Sequence, residues 1–90
     1  MPVLYQPLAA FLTAQPPATT AVTLTLAELA QLLGRPLPAS ASTRTWWGNR
    51  PSSAQARAWL AAGWRAQPQT RQLPVQIVFV RAPHRTLPDA

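Results

Sequence analysis

Four tryptophans crowd into one stretch, WWGNRPSSAQARAWLAAGW, at positions 46, 47, 59 and 64 of a 90-residue chain. A chain of this length makes one domain, with a core near the lower limit of what folds unaided, so each large apolar side chain carries a large share of that core. No cysteine is present, which excludes disulfides, thiolate zinc sites and a cysteine nucleophile together. The fold must hold by packing, and most of the four Trp, two Phe and one Tyr are needed for it. Whether all four indoles serve the core, or some face another molecule, is the first functional question.

Local signals lay out the elements. Leu4, Leu8, Phe11 and Leu12 follow the i, i+4, i+7, i+8 spacing of one helix face, with Pro7 tolerable in the first turn and PPATTA breaking the helix. AVTL predicts a short strand that runs straight into a second helix. Thr25 and Glu28 form a capping box there, Leu24 and Leu29 the hydrophobic staple around it, and Gly34 followed by Pro36 the stop. RPLPASASTRTWWGNRP is too rich in Pro, Ser and Gly for a long regular element, although STRTWW suits one helical turn. SSAQARAWLAAG predicts a third helix with a Ser cap, ending at a left-handed Gly63 that brings Trp59 and Trp64 into hydrophobic contact. WRAQ and PVQIVFVR predict two strands, in which Val75, Ile77 and Phe79 alternate with Gln76, Val78 and Val80.

The expected fold is therefore α+β: a single compact domain over residues 4–82, with three helices, a short strand and a C-terminal β-hairpin, winged-helix-like in its order. The segment 83–90 is expected to be a Pro-rich flexible tail. Two features differ from a standard helix-turn-helix. The connection from Arg35 to Pro51 exceeds the usual 3–4-residue turn, and the third helix carries Arg57 as its only charge.

The charges are few and one-sided. Eight Arg and no Lys stand against Glu28 and Asp89, for a net charge of +6, and all eight Arg follow Gly34. Such asymmetry points to a polyanion, nucleic acid first and an acidic protein second. Catalysis is not expected. Glu28 is committed to a helix cap and Asp89 sits one residue from the end, so convergent carboxylates for metal-assisted or glycosidic hydrolysis are missing. His84 is the only imidazole, too little for a triad or a metal site, and the three glycines make no phosphate loop. No cofactor or metal is expected. No apolar run approaches the roughly 18 residues of a membrane span. The opening MPVLYQPLAAFLTAQPP has no basic region ahead of its apolar residues, so a soluble, cytoplasmic protein without a membrane partner is expected.

Binding needs less machinery. Arg44, Trp46, Trp47, Asn49 and Arg50 set flat aromatic faces beside guanidinium groups and an amide. Arg suits phosphate, Trp stacks on bases and Asn pairs with an adenine edge. Neighbouring side chains in a helical turn point about 100° apart, so one of Trp46 and Trp47 can be core while the other faces out. Asn49 also suits a helix cap. Arg57 on the third helix points away from a buried Trp59, Arg65 faces opposite Trp64, and Arg71 sits in the hairpin loop, where a wing would touch phosphate. Arg81 continues the Val75, Ile77, Phe79 face and suits a cover for the sheet edge. The expected function is a small basic nucleic-acid-binding domain, for double-stranded DNA in preference to RNA. The alternative is a protein-interaction, accessory or inhibitor module that binds an acidic partner or forms a homodimer through exposed Trp and Arg.

YQPLAAFLTAQ, LTLAELAQLLGRPLPASA, WWGN, AQARAWLAAGW and IVFVR, in this order and spacing, resemble a family of small prokaryotic domains of unknown function. Its pattern runs Tyr-x-Pro-Leu, then Leu-Thr-x-x-Glu-Ile with Leu-Gly-x-x-Leu-Pro-x-Ser-Ala, Trp-Trp-x-Asn, Ala-Trp-Leu-x-Ala-Gly-Trp and Val-x-Phe-x-Arg. The resemblance spans Tyr5 to Arg81 and implies a real domain, with no activity attached. Similar sequences are more basic before the double Trp and have a more hydrophobic, acidic second strand, where this chain has STRT and RAQPQT.

Overall fold

The computed structural model describes residues 5–82. Leu4, His84, Arg85, Asp89 and the expected tail lie outside them. Helix α1 (Gln6–Thr13) is followed by strand β1 (Ala21–Thr25), helix α2 (Leu26–Leu33), two short 3₁₀ turns (Ala39–Ser42 and Thr45–Trp47), helix α3 (Ala54–Ala61), and strands β2 (Trp64–Gln69) and β3 (Gln76–Arg81). The long Arg35–Pro51 connection thus contains both 3₁₀ turns, the second formed by Thr45, Trp46 and Trp47.

The helix boundaries follow from capping chemistry. Thr25 ends β1 and caps α2: its Oγ1 accepts from Glu28 N at 3.1 Å, while Glu28 Oε1 accepts from Thr25 N at 2.8 Å. At the other end Gly34 is left-handed (φ 74°), and the amides of Gly34 and Arg35 donate to the carbonyls of Gln31 and Ala30. This is the two-bond Schellman stop, which needs a residue without Cβ strain. Ser53 caps α3 by accepting from Ala56 N at 3.2 Å. Gly63 (φ 89°) turns the chain into β2 with its amide on the Leu60 carbonyl.

The sheet is antiparallel with order β1-β3-β2, so β3 is central. Val22 lies opposite Phe79, which lies opposite Ala66 on the other side. The two-residue period puts Trp64, Ala66, Ile77 and Phe79 on one buried face, and Arg65 and Gln67 on the exposed one. On the buried face sit the helices, which contribute Leu8, Leu12, Leu29, Ala56 and Trp59 to one core. Trp59 and Trp64 are both fully buried, as the helix-stop argument requires. The rings that meet Trp59, however, are Trp47 and Phe79. Trp64 instead carries the Arg81 guanidinium 4.4 Å from its ring centroid.

Arg81 is a structural cation. Its Nε and Nη2 donate to the Thr19 carbonyl at 3.1 and 2.9 Å, and Nη2 also to the Pro16 carbonyl at 2.9 Å. It thereby ties the α1–β1 connection to β3 and to the face of Trp64.

Substituting Gly63 with Ala forces a Cβ into the left-handed region, where open space around it removes any clash as a cause. The expected loss is about 1–2 kcal/mol in chemical denaturation with an unchanged m value.

Candidate nucleic-acid interface

The eight residues expected to form a contact surface separate into two groups. Trp47 is in the core, 1% exposed, with its indole Nε1 donating to the Ala41 carbonyl. Its ring stacks on Trp59 at 5.4 Å and meets Phe79 edge-on at 6.1 Å. Trp46 is half-buried, edge-on to Trp47 at 4.6 Å and to Tyr5 at 6.0 Å, and its carbonyl accepts from Gln55 Nε2. The pair therefore divides, with Trp47 holding the fold together and Trp46 reaching the surface.

Asn49 is also internal in its chemistry. Its Oδ1 accepts from Trp59 Nε1 and from Ala66 N, both at 2.8 Å, and its Nδ2 donates to the Ala66 carbonyl at 3.0 Å. It caps no helix: Ser53 does that. The side-chain amide instead stands beside β2 as a one-residue strand, satisfying both outward backbone groups of Ala66. The spacing of Trp47 and Asn49 in this chain follows from these contacts. Trp47 supplies a ring that stacks on Trp59, and two residues later Asn49 holds the indole N–H of the same Trp59 and the edge of β2. Trp47 is therefore covered, and the Asn49 amide is already engaged within the fold even though the residue borders the surface.

The five arginines of the set, Arg44, Arg50, Arg57, Arg65 and Arg71, are all exposed. Glu28 is the only carboxylate side chain among the described residues and is occupied by its cap, so none of the five has an acidic partner there. Arg57 Nη1 donates to the Pro51 carbonyl at 2.9 Å, which anchors its guanidinium beside the start of α3. The Arg50 guanidinium packs over Gly48, where a Cβ would stand 3.1 Å from Nη2. Arg44 flanks an open groove of about 340 Å³ between the second 3₁₀ turn and β2, whose other walls are Gly48, Asn49, Gln67, Pro68 and Gln69, with Trp47 and Ala66 beneath. Arg65, Gln67 and Gln69 share one side of β2, and Arg71 lies in the turn that follows it.

Gln67 and Gln69 border this groove without being marked by the sequence alone. Trp64 and Ala66 alternate with Arg65 and Gln67, but a polar row on a strand becomes a surface feature of this kind only when another segment faces it. A second hollow, of about 430 Å³, is lined by Tyr5, Leu33, Arg35, Pro36, Leu37 and Pro38.

Fold and surface define a small α+β domain, three helices on a three-stranded antiparallel sheet, with a groove bordered by Arg44. The chain belongs to a family described as a domain of unknown function (DUF7662), whose family model matches residues 5–82. No curated protein and no solved structure matches it. No helix of the described residues is long and apolar enough to cross a membrane.

Replacing Asn49 with Ala strands the Trp59 indole N–H and both Ala66 backbone groups without partners. At about 1–3 kcal/mol for each group left unpaired and shielded from water, the expected destabilisation is about 2–4 kcal/mol after partial rehydration. Equilibrium urea denaturation measures it, and Arg44→Ala, which touches none of these groups, is expected to stay within about 0.5 kcal/mol of the native chain.

Proposed function

We propose that the domain binds nucleic acid without catalysis, duplex DNA in preference to RNA, through arginine–phosphate contacts. The observation that carries the reading is the set of exposed arginines around residues 44–57 and along β2 that have no carboxylate partner among the described residues. Permanently charged guanidiniums in such numbers attract a polyanion, and their planar donors suit phosphate. The element order α1-β1-α2-α3-β2-β3 with sheet order β1-β3-β2 supports a winged-helix-like arrangement. In this arrangement α3 lies toward the duplex, and the β2–β3 turn with Arg71 acts as the wing.

The outward residues of α3 include Ala54, Arg57 and Ala61. Alanine methyls offer a thymine methyl a contact but donate no hydrogen bond, so this helix reads little base sequence. Phosphate contacts dominate, with the groove beside Arg44 and the glutamines of β2 tracking the backbone. Trp46, half-buried in the second 3₁₀ turn, offers its exposed part to the same ligand.

Such binding weakens steeply with salt, because each neutralised phosphate releases counterions. Fluorescence anisotropy with a duplex DNA library across a salt titration is expected to give a linear log–log decline. Arg44→Ala and Arg50→Ala should each reduce the slope by about one, uniformly across sequences. Absence of binding at low salt, or binding unaffected by salt, overturns the proposal. A second reading, docking of an acidic protein segment, is favoured by the hollow at Tyr5, Arg35 and Pro36, which combines apolar walls with one cation. Arg35→Ala separates the two readings, since it weakens protein docking and spares DNA binding.

A further inference from the structure

The two edges of the sheet are unlike. On β2 the backbone groups of Ala66 are taken by Asn49, and Pro68 has no N–H to offer, so this edge accepts no further strand. The other edge is β1, AVTLT, with no charge, proline or bulge to close it.

The hydrogen-bond register shows which β1 groups are open. Arg81 N donates to the Thr20 carbonyl at 2.9 Å, so Thr20 points its backbone toward β3, as do Val22 and Leu24 by alternation. Ala21, Thr23 and Thr25 point outward. The Thr25 N–H is engaged by Glu28 Oε1, which agrees with this assignment. The N–H and C=O groups of Ala21 and Thr23 have no partner among the described residues.

We propose that β1 is a homodimerisation edge, pairing antiparallel with β1 of a second copy about a twofold axis at Val22. The inference is independent of the nucleic-acid reading. The free groups match themselves: Ala21 of one copy exchanges two hydrogen bonds with Thr23 of the other, and the twofold repeats the exchange, using every free group on both strands. A twofold at Thr23 would need the Thr25 N–H that Glu28 holds, so the capping box sets the register. Val22 of each copy then meets its twin as a close, non-hydrogen-bonded pair, and Leu24 lies opposite Thr20 on the same face. Val22 and Leu24 are only partly buried in the single chain, and this pairing removes more of their apolar surface from water. The strand AVTLT itself carries no charge that would repel its twin. The product is a continuous six-stranded sheet with its two arginine groups on opposite flanks.

Sedimentation equilibrium over a concentration series tests the proposal, together with amide exchange by NMR. The mass is expected to rise from 9.8 kDa toward twice that value, with the Ala21 and Thr23 amides becoming protected in step with it. Thr23→Pro removes an outward N–H and leaves the β1–β3 ladder intact, so the folded variant should stay at the monomer mass. A native chain that remains monomeric up to about 1 mM overturns the proposal. A dimer that leaves the Ala21 and Thr23 amides unprotected, or persists undiminished in folded Thr23→Pro, does so too. Should Thr23→Pro fail to fold, the amide protection of the native chain decides alone.

Discussion

The side-chain amide of Asn49 is the contact on which the rest of this small fold depends. Three elements meet there: the turn carrying the double tryptophan, helix α3 through the Trp59 indole, and strand β2 through both backbone groups of Ala66. A core with so few large side chains gains much from stacking Trp47 on Trp59, but stacking alone is tolerant of sliding. The hydrogen bonds fix the register between helix, turn and strand, and they do so without charge. The same amide closes one edge of the sheet, which makes the open β1 edge distinctive.

Placing Trp47 and Asn49 in the frame also defines what is left for function. The turn that buries Trp47 holds Arg44 and Arg50 outside it, and the strand edge held by Asn49 presents Gln67 and Gln69 across the groove from Arg44. The only carboxylate among the described residues is consumed by the α2 cap, so the arginines have no internal counter-charge. Arg81 is the exception that marks the boundary between structure and surface, because its guanidinium is held by the Pro16 and Thr19 carbonyls over the Trp64 ring.

Much of this was legible in the sequence because its causes are local. The capping box at Thr25, the left-handed Gly34 and Gly63, and the alternation in QIVFVR each act within a few residues, and each appears in the fold. What could not be read depends on partners far along the chain. Asn49 before Arg-Pro-Ser-Ser reads as a cap, yet its partners lie 10 and 17 residues away. Trp46 and Trp47 point about 120° apart in a 3₁₀ turn, so local geometry requires them to differ but cannot choose between them. Contact with Trp59 and Phe79 makes the choice. The groove was hidden for the same reason, since its two walls come from separate segments.

The groove beside Arg44 and its neighbouring arginines, and not the tryptophan pair as a whole, is the proposed contact with the ligand. Following backbone and indole NMR signals during titration with a short DNA duplex tests it most directly. Shifts are expected at Arg44, Gly48, Arg50, Gln67 and Arg71 and at the Trp46 indole, with the Trp47 and Trp59 indole signals and the Ala21 amide unmoved. Shifts confined to the hollow between Tyr5 and Pro38, or strong movement of the Trp47 and Trp59 indoles with the arginine positions silent, would contradict it.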